Sequence, residues 1–272
     1  MILHAYGDSW TEGQGFNLDI EKKLELKDVS NLHTSSNYKN SELNTLRKNK
    51  SWVKPLANKL DIQFINNGKI SNPNSVIFNS IIDDITNDII KIDDFVIVMW
   101  SSSLRDYTPF LPKNQWISWS VKHLINLPNK FINSYKSDNE KYDSFLREYK
   151  SFFLDNLFNQ NYYNIVNQNY IIFLQKLFEF YGIKYLMIDA FDKMVDSPNK
   201  QDDITHLINK KNYWKFDSKT IRDFLIKTNT NCFESNETIN KNPTQHPNEI
   251  GYNLISEELY NYIVGNLSLI HI

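Results

Sequence analysis

Four short apolar runs, at Ile2, Ile62, Phe95 and Ile183, alternate with stretches of helical spacing and predict an α/β chain. The clearest of them, Phe95-Val96-Ile97-Val98-Met99, is continuous and rich in β-branched residues, the pattern of a strand buried on both faces of a parallel sheet. With 272 residues, 41% of them hydrophobic, the chain can bury one large core. These observations predict a single domain over residues 1–272, a three-layer α/β/α sandwich around a mainly parallel sheet.

The first strand starts at Ile2 and breaks at Gly7-Asp8-Ser9, with polar, helix-starting residues behind it. A strand that stops at Gly7 leaves Ser9 on a sharp turn at the carboxyl edge of the sheet, where ligands bind in open α/β folds. Residues Gly13 to Lys50 are polar and irregular and read as a solvated loop or a partly helical insertion over the site. Trp52 to Leu60 has helical spacing, Ile62 to Ile65 predicts a short buried strand, and Asn66-Asn67-Gly68-Lys69-Ile70-Ser71-Asn72-Pro73 is a loop leading into a helix through Ile81 and Ile85.

The Phe95 strand ends in Trp100-Ser101-Ser102-Ser103-Leu104-Arg105-Asp106. Tyr107 to Asn167 is unusually aromatic, and Asp138 to Phe158 has helical spacing. This predicts a helical, aromatic-rich lid insertion at about 105–167 over the carboxyl edge, its rings forming core or stacking on sugars. Asn169 to Tyr181 is an amphipathic helix ended by Gly182, and Ile183 to Ile188 is the fourth strand. Beyond a polar region with one helix around Thr220 to Ile226, His246-Pro247 opens a C-terminal helix, with Pro247 where a first turn tolerates it. Strands and helices in this order make the sheet flavodoxin-like.

Gly7-Asp8-Ser9-Trp10 at one end and His246-Pro247-x-x-x-Gly251-Tyr252 at the other together resemble the SGNH, or GDSL-type, serine hydrolases. The resemblance implies Ser9 as nucleophile and His246 as general base. It implies oxyanion donors at the Ser9 N–H, at Ser71 (where the family has glycine; a register one residue on gives Asn72) and at Ser103 or Ser102 (where it has the Asn of Gly-x-Asn-Asp). The Trp-Ser-Ser-x-x-Arg form of that third loop resembles a divergent branch of the family. Three positions depart from the pattern: Ser71, the serine run, and Pro243, which stands where the family's orienting Asp precedes the histidine by three residues. Glu234, Glu237, Asn242 or a main-chain carbonyl could hold the imidazole instead. Asp8, Trp10, Asn72, Trp100 and Arg105 form the expected substrate-binding set. Arg105 either meets an anionic or sugar substrate or pairs with Asp106 or Glu148.

A hydroxyl is a weak nucleophile until an imidazole takes its proton, so Ser9 and His246 are the minimum pair for acyl transfer. The reaction expected is cleavage of a carboxylic ester, an O-acetyl or similar small acyl group on a carbohydrate. The alternative is a catalytically weak or inactive glycan-binding or structural module. The partner is then a small-molecule or glycan ester. A net charge of −2 gives no reason to expect nucleic acid or a membrane surface. The single Cys232 excludes an intrachain disulfide and a cysteine-rich metal site, and no His-x-x-x-His pair or Gly-rich phosphate loop suggests a metal or other cofactor. No signal peptide or membrane-spanning run is readable, so a cytoplasmic or particle-associated location is expected. Oligomeric state is left open.

Overall fold

A computed structural model describes residues 1–17, 20, 42–103, 105–110, 115–120, 152, 159–194, 204–216, 218–228, 231–233 and 246–266; of 106–110, 115–120 and 160 the backbone alone is described. Its centre is a four-stranded parallel sheet in the order β2-β1-β3-β6, formed by β1 (Ile2–Tyr6), β2 (Gln63–Asn66), β3 (Phe95–Trp100) and β6 (Lys184–Asp189). The register sets Leu3 opposite both Phe64 and Phe95, and Trp100 opposite Asp189. The chain runs from β1 outward to β2, then crosses back to β3 on the other side of β1. The carboxyl end of β1 is therefore the switch point at which open α/β sheets form their ligand crevice.

Alternate strand residues feed two cores, as a sheet covered on both faces requires. On one face Leu3, Ala5, Ile97, Met99 and Ile188 pack against α3 (Val53–Leu60), α6 (Ile221–Thr228) and α7 (Glu249–Asn266). On the other, Tyr6, Val96, Val98, Trp100 and Met187 meet α4 (Asn74–Thr86) and α5 (Gln160–Tyr181). The remaining helices are α1 (Ser9–Glu12) and α2 (Glu42–Lys50). The three-layer α/β/α reading stands. No described helix is long and apolar enough to cross a membrane.

The insertion begins differently from the expectation. Residues Arg105–Phe110 (β4) and Gln115–Ser120 (β5) form an antiparallel hairpin, not a helix. Tyr107, Thr108, Trp116, Ile117 and Trp119 are β-branched or aromatic and favour a pleated strand, a preference that the aromatic content alone did not separate from helix. The helix read over 138–158 falls, Phe152 apart, outside the described residues. Helix α5 starts at Gln160, nine residues earlier than the Asn169 boundary, because Asn159 caps it: its side chain accepts from the Asn161 and Tyr162 N–H groups.

Candidate active site

Tyr6 ends β1, and the chain turns through Gly7 into α1, whose first residue is Ser9. A Cβ on Gly7 would lie 2.0 Å from the Thr11 hydroxyl, so the turn is too tight for any side chain there. The Asp8 carboxylate is fully buried and spends both oxygens on the protein. Oδ1 accepts from the Trp10 N–H at 3.0 Å and caps α1. Oδ2 accepts from the Ser101 hydroxyl and from Arg105 Nη1, each at 2.8 Å.

His246 arrives from the far end of the sequence. Pro247 bridges to Phe233, and the Asn248 N–H donates to the Cys232 carbonyl at 2.9 Å. The Asn248 side chain accepts from the Gly251 N–H, which starts α7, and donates to the Asn231 and Phe233 carbonyls. Gly251 permits this close approach: a Cβ there would sit 2.3 Å from the Cys232 oxygen. The Tyr252 hydroxyl donates to the Gln14 carbonyl at 2.6 Å, tying the base of α7 to the chain just after α1. Held in this way, the half-buried His246 places Nε2 3.0 Å from Ser9 Oγ. A nucleophile and base at hydrogen-bond reach is the arrangement acyl transfer needs.

The structure treats the other expected residues unequally. Ser71 has φ +63°, the left-handed region for which glycine is the easy choice, so the serine is held there at a steric cost. Asn72 is 4% exposed; its amide donates weakly to the Gly7 carbonyl at 3.5 Å, and its oxygen has no partner among the described residues. Ser103 is buried and its carbonyl accepts from Asn167 Nδ2 at 2.8 Å.

Five of the expected residues are held within the protein itself. The Ser102 hydroxyl donates to Asp192 at 2.8 Å, and its single proton is thereby withdrawn from an oxyanion role. Asp8 is enclosed by its protein donors and offers a substrate nothing. Trp10 is fully buried against Phe191 and Phe233, and Trp100 is fully buried among Tyr6, Val98 and Met187. Both tryptophans are core. Arg105 pairs with Asp8, a partner not considered from the sequence, and its guanidinium lies 5.7 Å from the Phe191 ring centre.

Two further residues hold the carboxyl edge of the sheet together without a sequence signal. Asn74 accepts from the Ser101 N–H at 2.8 Å and donates to the Ser102 carbonyl, fixing the loop after β3 against the start of α4. Asp189, at the end of β6, is buried and accepts from the Tyr213 hydroxyl. Burial pushes its carboxyl up to about 7, against the pull of the Tyr213 and Met194 hydrogen bonds. Pro243, Glu234, Glu237 and Asn242 lie outside the described residues. Among the described residues no group of three or more His, Cys, Asp or Glu side chains could hold a metal ion.

No family model and no curated protein matches the chain. Among solved structures it is similar to a chain from Desulfitobacterium hafniense DCB-2 that was assigned to the G-D-S-L family of lipolytic proteins. The identity is 12%, the match covers 96% of this chain and 98% of that one, and the TM-score is 0.31. At that score the likeness carries no weight for fold or activity. The geometry of this chain has to carry the function.

Proposed function

We propose that the protein is a serine hydrolase of the SGNH type that cleaves a carboxylic ester, with a small acyl group such as O-acetyl carried on a carbohydrate. The 3.0 Å contact between His246 Nε2 and Ser9 Oγ, made across 237 residues at the sheet's switch point, carries the reading. Ser9 Oγ attacks the carbonyl carbon while its proton passes to His246 Nε2. The ester C–O bond then breaks, and the departing alcohol takes that proton. Water, deprotonated by the same nitrogen, releases the acid and restores Ser9.

The oxyanion would be met by the N–H groups of Ser9 and Ser71 and by the Ser103 hydroxyl, each contributing about 3 kcal/mol in comparable sites. The carbohydrate assignment rests on the resemblance of the motifs. Trp10 and Trp100 are buried and offer a substrate no ring face. One observation favours a weak or inactive glycan-binding or structural module instead: the Ser102 hydroxyl, one of two that could replace the family's Asn donor, is committed to Asp192.

Turnover of 4-nitrophenyl acetate and of acetylated sugars by wild type, Ser9→Ala and His246→Ala tests the proposal. Hydrolysis that both substitutions abolish supports it. Folded wild type without turnover, but with affinity for glycans, favours the binding module.

A further inference from the structure

Arg105 is linked to both neighbours of Ser9, to Asp8 directly and to Trp10 through Phe191. It donates directly to Asp8 Oδ2 at 2.8 Å, and its guanidinium lies against Phe191, which packs edge-on against Trp10 at 4.7 Å between ring centres. Asp8 in turn fixes the Trp10 N–H through Oδ1 and the loop after β3 through Ser101. The residue before Ser9 and the residue after it are thus tied to one cation from the start of β4.

We propose that Arg105 is a positioning residue for the nucleophile: acting through Asp8, it holds the turn in which Ser9 Oγ meets His246 Nε2. The inference rests on the reading of Ser9 and His246 as a nucleophile–base pair. The chemistry suits arginine. A planar guanidinium can donate to a buried carboxylate and lie on a ring at the same time, and a lysine cannot reproduce both contacts. Asp8 is fully buried while the Arg105 side chain is 17% exposed, so the carboxylate depends on this cation more than the cation depends on it. A reacting group displaced by about 1 Å loses roughly 100-fold in rate, so modest loosening of the turn is felt in the chemistry.

The test reads the Ser9–His246 hydrogen bond directly and needs no turnover. The ¹⁵N resonance of His246 Nε2 is recorded in wild type, Ser9→Ala, Arg105→Gln and the double variant. Ser9→Ala is expected to move the resonance. Arg105→Gln is expected to move it most of the way to the same position, and the double variant to add nothing.

An Arg105→Gln resonance at the wild-type position, with Ser9→Ala shifted, overturns the positioning role and leaves the nucleophile–base reading standing. No shift in Ser9→Ala removes that reading, and the positioning role with it. If Arg105→Gln does not fold by circular dichroism, Arg105→Lys keeps a cation on Asp8 and replaces it. That variant is expected between wild type and Ser9→Ala, and a wild-type resonance again overturns the proposal. In parallel, fluorophosphonate labelling of Ser9 is expected to slow at least tenfold in Arg105→Gln and to recover partly with added guanidinium ion, which a purely structural loss would not show. An unchanged labelling rate counts against the role.

Discussion

Two buried carboxylates sit at the carboxyl edge of the same sheet and are built differently. Asp8, just after β1, receives a guanidinium, a hydroxyl and a helix-capping N–H. Asp189, at the end of β6, receives the Tyr213 hydroxyl and the Met194 N–H, and burial pushes it up to about 7. The first is wired into the turn that carries Ser9. The second joins β6 to the residue that bridges to it, Tyr213, which pairs with Met187. A buried acid beside a cation can hold a functional turn in place, whereas one satisfied by neutral donors ties fold to pH.

The comparison can be broken at either end. The largest effect is expected from Ser9→Ala or His246→Ala, each lowering ester turnover by about 10⁴-fold or more, measured under single-turnover conditions. Asp8→Ala leaves Arg105, Ser101 and the Trp10 N–H without their shared acceptor. It should cost about 3–5 kcal/mol in urea unfolding, since half of a largely buried ion pair is removed.

Asp189→Asn should act through pH. A carboxyl raised from the ordinary value near 4 to about 7 contributes stability that is complete below pH 4 and lost as pH rises through 7. Wild type should therefore lose a few kcal/mol of this contribution between pH 4 and 7, and urea melts of the Asn variant should lack that slope. Gly251→Ala forces a Cβ towards the Cys232 carbonyl and should cost about 1–3 kcal/mol in urea unfolding while slowing labelling of Ser9. The smallest effect belongs to Ser71→Gly, which relieves the positive φ and should raise stability by at most about 1 kcal/mol in the same melts.

Strands buried on both faces announce themselves as apolar runs, so β1, β3 and β6 were legible in the sequence, with Ser9 at the carboxyl end of the first; β2 instead lies at the sheet edge with Ile65 exposed and is not the buried strand its apolar run predicts. The Ser9–His246 pairing was legible because both ends carry local motifs, a strand–turn–helix and a proline-started helix. The Asp8–Arg105 pair was not: its members are 97 residues apart, and no spacing rule connects the turn after one strand to the start of another. Trp10 and Trp100 stood in the expected substrate-binding set because residue type does not report which side of a turn faces solvent. The capping role of Asn248 could have been read from the Asn-x-x-Gly sequence ahead of the last helix, whereas the Asp189–Tyr213 contact required the fold.

The central claim is that Ser9 is an activated nucleophile. It is tested most directly by intact-mass measurement of folded protein after treatment with a small fluorophosphonate, the adduct being mapped by peptide sequencing. The account predicts one adduct per chain, located on Ser9 and absent from Ser9→Ala and His246→Ala. An unmodified mass for folded wild type, or an adduct that persists in Ser9→Ala, would contradict it.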